Sequence, residues 1–577
     1  MNRQGSSILF AASAARTAAT ILVFVLLNAS FHIVSARAAW LSDGNPISRA
    51  TRNQKTTRVV SDNNFGAVIV WEDYRAGSSS DIYAQRVSAG GDTLWTCDGV
   101  PVCTASDNQE GPKLASDGAG GAIIAWQDGR SGVGYDIYAG RVDSNGDVQW
   151  PANGVLLCGV ADNQEYPEVS PDGAGGAIIV WQDFRSGTTY DVYAQRVDQY
   201  GNTKWTVNGV AICAAAGHQY YPRIVQDGSG GAIIAWEDWR NGIDSDIYAQ
   251  RVDPDGNVLW TLNGIPVCTA TDHQFEQGIV PDDDGGAIVA WEAYNGGEDD
   301  IYVQRLDANG NPLWTANGVA VCTAANAQVG PELVLSGNAG AIVTWEDWRI
   351  EDDVYAQRIS SNGNIMWAVN GVAVCNAPNG QNSVQIASDG ARGAVITWQD
   401  YSSVTQTDIY AQRIDSSGVV KWAPNGIAVC VASGFQYYPS MVYDGIGGEI
   451  FAWEDYRGGS GSDVYAVKLN QDGAITGTER PAVSARKASL EQNVPNPFNP
   501  LTSVMFTVES PGRVLLQVYD VAGLSVCTLL NNWREPGTYT QNWDGRTDDG
   551  REVPSGVYFC SIKTGNFAAA RKMVLLK

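Results

Sequence analysis

Downstream of residue 38 the chain carries only two histidines, His218 and His273, each immediately before a glutamine. An imidazole pair could bind a metal or serve as a general base. No third ligand accompanies them at metal-site spacing, so a structural role is the simpler reading. The glutamines after them belong to a set of eight: Gln54, Gln109, Gln164, Gln219, Gln274, Gln328, Gln381 and Gln436. Each precedes the innermost strand of a repeat. Their amides could encircle a central channel and be offered to a glycan or peptide, or they could cap backbone at the strand start. These ten residues form the candidate binding set.

Acids and bases also recur. Asp73, Asp128, Asp183, Asp238, Asp347, Asp400 and Asp455 follow a tryptophan, and Arg75, Arg130, Arg185, Arg240, Arg349 and Arg457 stand two further on. A catalytic pair is needed once, so repetition of this order points to a loop brace. The pattern fails at Ala293, Asn295 and Ser403, where a functional face is expected if function is local. Asp282-Asp283-Asp284 and the turns at Asp143 and Asp253 are similar to the start of calcium loops. They lack the later bidentate Glu, so hairpin turns are favoured and calcium stays a weak alternative. No Ser-His-Asp order, phosphate loop or dinucleotide fingerprint is present, and no residue is assigned as catalytic or as a metal ligand.

The elements that position these residues follow from a repeat. Trp71, Trp126, Trp181, Trp236, Trp291, Trp345, Trp398 and Trp453 are spaced by 53 to 55 residues, and Tyr83 to Tyr465 keep step. Within a unit, Pro222 to Gln226, Ala232 to Trp236, Asp246 to Val252 and a segment ending at Cys268 read as four strands separated by Gly-rich turns, with no helical periodicity. Four strands in about 55 residues predict a propeller blade. The strand Ala232 to Trp236 is apolar throughout and needs cover on both faces, which a closed ring supplies. A second tryptophan series (Trp40, Trp95, Trp150 and onward) begins the fourth strand. It opens the chain before the first full unit and is missing after the eighth. The expected fold is therefore an all-β, eight-bladed propeller over 39–470, closed by a one-plus-three sheet in which residues 40–48 complete the last blade.

Residues 1–38 carry Arg3 and Arg16, an apolar core Ile21 to Leu27, and Ala36-Arg37-Ala38. This pattern predicts a cleaved export signal, hence a secreted or cell-surface protein with no later membrane span. Net charge is -26. That speaks against duplex nucleic acid and anionic membranes as partners. One cysteine per repeat, from Cys103 to Cys430, predicts buried free thiols.

Residues 471–489 read as a linker, and 490–577 as a small Ig-like β-sandwich. Asn493 to Pro500, Val518-Tyr519-Asp520-Val521-Ala522-Gly523, Trp543-Asp544-Gly545, Pro554-Ser555-Gly556-Val557-Tyr558 and the ending Arg571 to Lys577 carry a resemblance. This segment resembles the C-terminal domain of bacterial type IX secretion cargo and, equally, the Ig-like domain of flagellar hook-capping proteins, with Val494 where many members carry Tyr. The resemblance implies export and possible surface retention through the secretion machinery. Cys527 and Cys560 could pair within this domain. Residues 40–470 resemble unnamed repeats of bacterial secreted proteins and lack the sialidase Ser-x-Asp-x-Gly-x-x-Trp box. The expectation is an exported, non-enzymatic propeller that binds an extracellular polymer or protein. Alternatives are a carbohydrate-active enzyme or a structural surface component. Non-repeated charge gathered at one channel mouth would favour the enzyme.

Overall fold

The computed structural model describes residues 39–475 apart from 338, 404, 405 and 460. It also describes 489–576 apart from 491, 494, 495, 501, 509–511, 535, 536, 549, 565 and 566. The segment expected to be an export signal, and most of the segment expected to be a linker, lie outside the described residues. The chain divides into two compact units, 1–478 and 479–577. Among the described residues no helix is long and apolar enough to cross a membrane.

The first unit contains eight four-stranded antiparallel sheets. Seven are contiguous in sequence; the first runs Gln54–Ser61, Ala67–Asp73, Asp81–Val87 and Val100–Cys103. The eighth joins Gln436–Tyr443, Gly448–Asp455 and Asp463–Asn470 to Asn45–Ser48 from the start of the chain, so the one-plus-three closure is observed. Inner strands pack successively around the ring, and Gln54–Ser61 touches both Gln109–Ser116 and Gln436–Tyr443, which closes it. The repeat pattern continues through a turn at Asn470 to Gly473 and a bridge from Leu469 to Ile475.

Second strands are buried along most or all of their length because a neighbouring sheet covers each face. Val68 and Val70 of the first sheet share a core cluster with Trp126 of the second, and Ile123 and Ala125 of the second share one with Trp181 of the third. The core is thus a ring of inter-sheet layers. The Asn-Gly or Asp-Gly turn before each fourth strand packs on the second-strand tryptophan. A Cβ on Gly154, at φ +87, would sit 2.6 Å from Trp126.

Every inner strand carries a bulge near its start. In the first sheet the register shifts between Lys55 and Arg58, with Thr56 left-handed at φ 56. The equivalent residues are Gly111, Tyr166, Tyr221, Glu276, Gly330, Ser383 and Tyr438. A bulge leaves one backbone N–H outside the ladder. Here the residue after the preceding sheet's tryptophan accepts it: Glu454 from Thr56 at 2.8 Å, Glu237 from Glu276 at 3.0 Å, and Gln399 from Tyr438 at 2.6 Å.

The second unit packs two sheets over one core. Ser489–Leu490, Thr502–Val508 and Gly537–Trp543 form one; Gly512–Tyr519, Ser525–Arg534, Gly556–Thr564 and Phe567–Leu575 form the other. Phe498 exchanges backbone hydrogen bonds with Val574 and Leu576, and its ring meets Trp543 at 5.5 Å. The pairing of Cys527 with Cys560 is corrected: both are free. Each lies beside Val518 from opposite flanks. They are therefore two strand spacings apart, about 9–10 Å, against the limit of about 7 Å for a disulfide.

Candidate functional site

The glutamine ring does not face the channel. All eight side chains are fully buried. In seven of them Nε2 donates to carbonyls two to four residues back, as Gln109 does to Ser106 and Asp107 and Gln274 to Ala270 and Asp272. They brace the loop that leads into the inner strand, and their amides are not presented to a ligand. His218 Nδ1 accepts the Tyr190 N–H and His273 Nδ1 accepts the Ser245 N–H, each at 3.2 Å. Asn163 Oδ1 accepts the Tyr135 N–H at the same place one unit earlier. The histidines therefore stand in for an asparagine that ties one sheet to the next. His273 also lines the cavity described below.

The Asp–Arg pairs are braces. Asp238 Oδ2 accepts the Trp236 Nε1–H at 2.7 Å, and Arg240 grips both carboxylate oxygens at 2.7 and 2.6 Å. Arg240 also donates to the Asn263 carbonyl and stacks 3.6 Å over Tyr248. At Ala293 the brace is missing, and Trp291 Nε1 has no partner. The acidic turns hold themselves: Asp253 and Asp143 accept N–H groups of their own turns, and Asp282 pairs with Arg305 at 2.9 Å. A second brace escaped the sequence reading, in which a turn Asp meets a third-strand Arg, as in Asp62–Arg86 and Asp227–Arg251.

Symmetry breaks instead on the inner wall. Two positions after each bulge residue stand Arg58, Lys113, Glu168, Arg223, Gly278, Glu332, Gln385 and Ser440. Lys113 and Arg223 flank Glu168 at 2.5 and 3.0 Å, linking three consecutive sheets across the ring. Gly330 faces open space beside them, and Gly278 lets Leu333 of the next sheet approach, since a Cβ there would sit 2.6 Å from it. The result is a cavity of about 860 Å³ walled by the inner strands of five sheets, including Tyr166, Glu168, Tyr221, Arg223, Trp239, Phe275, Glu276, Gln277 and Glu332. Tyr166 and Tyr221 meet edge to face at 5.4 Å and are each about half exposed (52% and 48%). Gln277 replaces the proline found here in most units; it is 2% exposed, donates to the Tyr221 carbonyl, and has no partner for Oε1.

One aromatic position recurs at the entry to the inner strands, and Trp239 brings it into this cavity. The residue after the brace Asp position is Tyr74, Phe184, Trp239, Tyr294, Trp348, Tyr401 or Tyr456 in seven units. Its N–H bonds to the residue preceding the inner strand, as Trp239 does to His218. The signal was visible as a variable position inside a fixed frame.

The wall is electrostatically divided. Burial alone would raise the Glu168 carboxyl, but Lys113 and Arg223 outweigh it and hold it below the ordinary range. Burial raises Glu332, with Arg223 and Lys113 opposing. Glu237 is pushed up to about 7 by burial. Glu292 is raised, first by burial and then by Glu276 nearby. Both Glu237 and Glu292 are engaged with bulge N–H groups.

No protein-family model and no curated protein matches the chain. Among solved structures it is similar to PorZ, a bacterial surface component of the type-IX secretion system of Porphyromonas gingivalis, at 12% identity and TM-score 0.34, covering 93% of this chain and 74% of that one. It is also similar to a polysaccharide lyase of the ulvan lyase family, at 12% identity and TM-score 0.41, over 66% and 96%. A third is an endo-arabinase from Bacteroides thetaiotaomicron, at 15% identity and TM-score 0.29, over 48% and 99%. At these similarities the functional assignment rests on the chain's own geometry.

Proposed function

We propose that the chain is an exported propeller that binds an extracellular carbohydrate polymer in its channel, with residues 490–577 serving secretion or surface attachment. One observation carries the reading. Non-repeated side chains concentrate around one cavity of about 860 Å³, where tyrosine, tryptophan and phenylalanine stand beside paired charges. Aromatic faces take the apolar faces of sugar rings, and fixed carboxylate and guanidinium groups take hydroxyls. The Lys113–Glu168–Arg223 network holds its charges in place, which suits recognition. A glycan array on the chain, followed by titration of the hits, tests this. Replacing Tyr221 or Trp239 by Ala should weaken binding by roughly ten- to a hundredfold, in line with lost aromatic stacking. Unchanged affinity in both variants would overturn the channel assignment.

A second reading, a glycosidase, has a specific observation in its favour. Glu168 is held ionised while Glu332 is raised on the wall of the same cavity, the division of roles that acid catalysis with a carboxylate partner needs. Product formation abolished by Glu332→Gln or Glu168→Gln, with binding retained, would establish it in place of binding alone.

A further inference from the structure

We propose that the channel wall formed by the eighth and first sheets is a second subsite, built to hold an acidic group (a uronate carboxylate or a sulfate ester) on a polysaccharide. The inference rests on the carbohydrate reading above and assigns the polymer's charge. A separate cavity of about 470 Å³ lies there, lined by Lys55, Arg58, Tyr437, Tyr438, Glu454 and Tyr456 with the Thr56 backbone.

Its cations are unusual for this chain, in which 63 acids outnumber 37 bases. Several other arginines are tied to carboxylates: Arg75 to Asp73, Arg86 to Asp62 and, on the inner wall, Arg223 to Glu168. Among the described residues Lys55 and Arg58 have no carboxylate at ion-pair distance. Arg58 commits one Nη1 to the Thr57 carbonyl at 3.0 Å. The one acid of the cavity, Glu454, feels the charge of both cations but makes no close ion pair with either. Glu454 is 3% exposed, and its Oε1 accepts the Thr56 N–H at 2.8 Å. Two cations lining a cavity without a carboxylate in ion-pair contact are set to take an anion from outside.

The rest of the wall suits a sugar. Tyr437 meets Tyr456 edge-on at 5.6 Å and Tyr438 at 6.0 Å. Tyr438 occupies the bulge position at φ 53 and is 55% exposed. Three tyrosine rings beside two cations offer a stacking platform with an anion clamp. In the next sheet Lys113 is already paired with Glu168, whereas Glu276 and Glu332 stand on the wall of the fifth and sixth sheets. Charge on the polymer would thus fix which way it lies in the channel.

Titration calorimetry of the full chain with oligogalacturonate, with its methyl ester, and with a matched sulfated and desulfated oligosaccharide pair tests the proposal and separates carboxylate from sulfate. An acidic probe should bind at least tenfold tighter than its neutral counterpart, with the advantage shrinking as salt rises. Lys55→Gln with Arg58→Gln should abolish that advantage, and Arg58→Lys alone should keep most of it. Equal affinity for acidic and neutral probes would overturn the subsite, as would a preference that survives the double substitution. Poly-glutamate binding as tightly, with the same dependence on Arg58, would overturn the carbohydrate assignment of this subsite. Neutral glycans bound through Tyr221 and Trp239 with no acidic preference would sink this inference and leave the channel reading intact.

Discussion

The residue after each second-strand tryptophan shows how one side chain can set a pH response. It is Glu at 72, 237, 292, 346 and 454 and Gln at 127, 182 and 399. Both types accept a bulge N–H through an oxygen, so the position needs an acceptor and not a charge. Burial makes the charge costly: Glu346 is pushed up to about 7, with the Ser383 and Val384 N–H groups pulling the other way. Its folded value lies above its unfolded one. The folded chain therefore holds a proton that the unfolded chain releases between about pH 4.5 and 7, and stability falls as pH rises through that window. Glu237 and Glu454, also near 7, act in the same direction. The unfolding midpoint in urea should accordingly be lower at pH 8 than at pH 5. Glu346→Gln should raise stability at pH 8 by up to about 3 kcal/mol and leave it nearly unchanged at pH 5. An equal effect at both pH values would show that burial of the charge is not the cause. The sequence displayed the Glu/Gln alternation but not its meaning, because the N–H it serves belongs to the following repeat.

At the scale of the element, turns and strands differ in how openly the sequence declares them. The Asn-Gly turns were legible, but the reason for their glycines was not. Gly154 combines a left-handed backbone with contact on the Trp126 ring, so Ala there meets both a conformational and a steric penalty. Gly173, at φ +72, has nothing within 4 Å of a built Cβ. Gly173→Ala should cost about 1–2 kcal/mol from the backbone alone. Gly154→Ala should cost about 3–5 kcal/mol, the extra coming from displacement of a buried tryptophan. Denaturation of the two variants side by side checks the difference, and equal losses would mean the indole yields without cost. Inner strands hid more. Alternation assigns faces by period two, and the bulge breaks that period between Lys55 and Arg58 and at each equivalent place. The glutamines, read as lying before the inner strand and open to the channel, begin that strand and are buried, while Arg58, Glu168 and Arg223 beyond the bulge went unremarked.

For the whole molecule, the ring depends on its two ends meeting. The repeat count and the missing final strand were enough to foresee this, since closure is a property of the frame. The site belongs to the departures from that frame, and their significance appears only once the inner wall is known. The N-terminal segment does more than complete a sheet. Trp40 is fully buried, and its Nε1 donates to the Ala89 carbonyl of the first sheet's hairpin at 3.0 Å. Asn45 reaches the Gly91 carbonyl at 2.9 Å, the Asp43 carboxylate accepts the Val431 N–H at 2.9 Å, and its carbonyl accepts Arg457. Nine residues thereby touch the seventh, eighth and first sheets. Burial of one tryptophan contributes up to roughly 4–6 kcal/mol, an upper bound because the unfolded chain is already partly compact. Removing residues 40–48 also exposes Asp463–Asn470 as a bare edge, which invites pairing with a second chain. The truncated protein should melt well below the parent and gain a concentration-dependent dimer in sedimentation. A peptide spanning 40–48 supplied in trans should recover part of the loss. A truncated chain that melts with the parent and stays monomeric would show that the ring holds without its clasp.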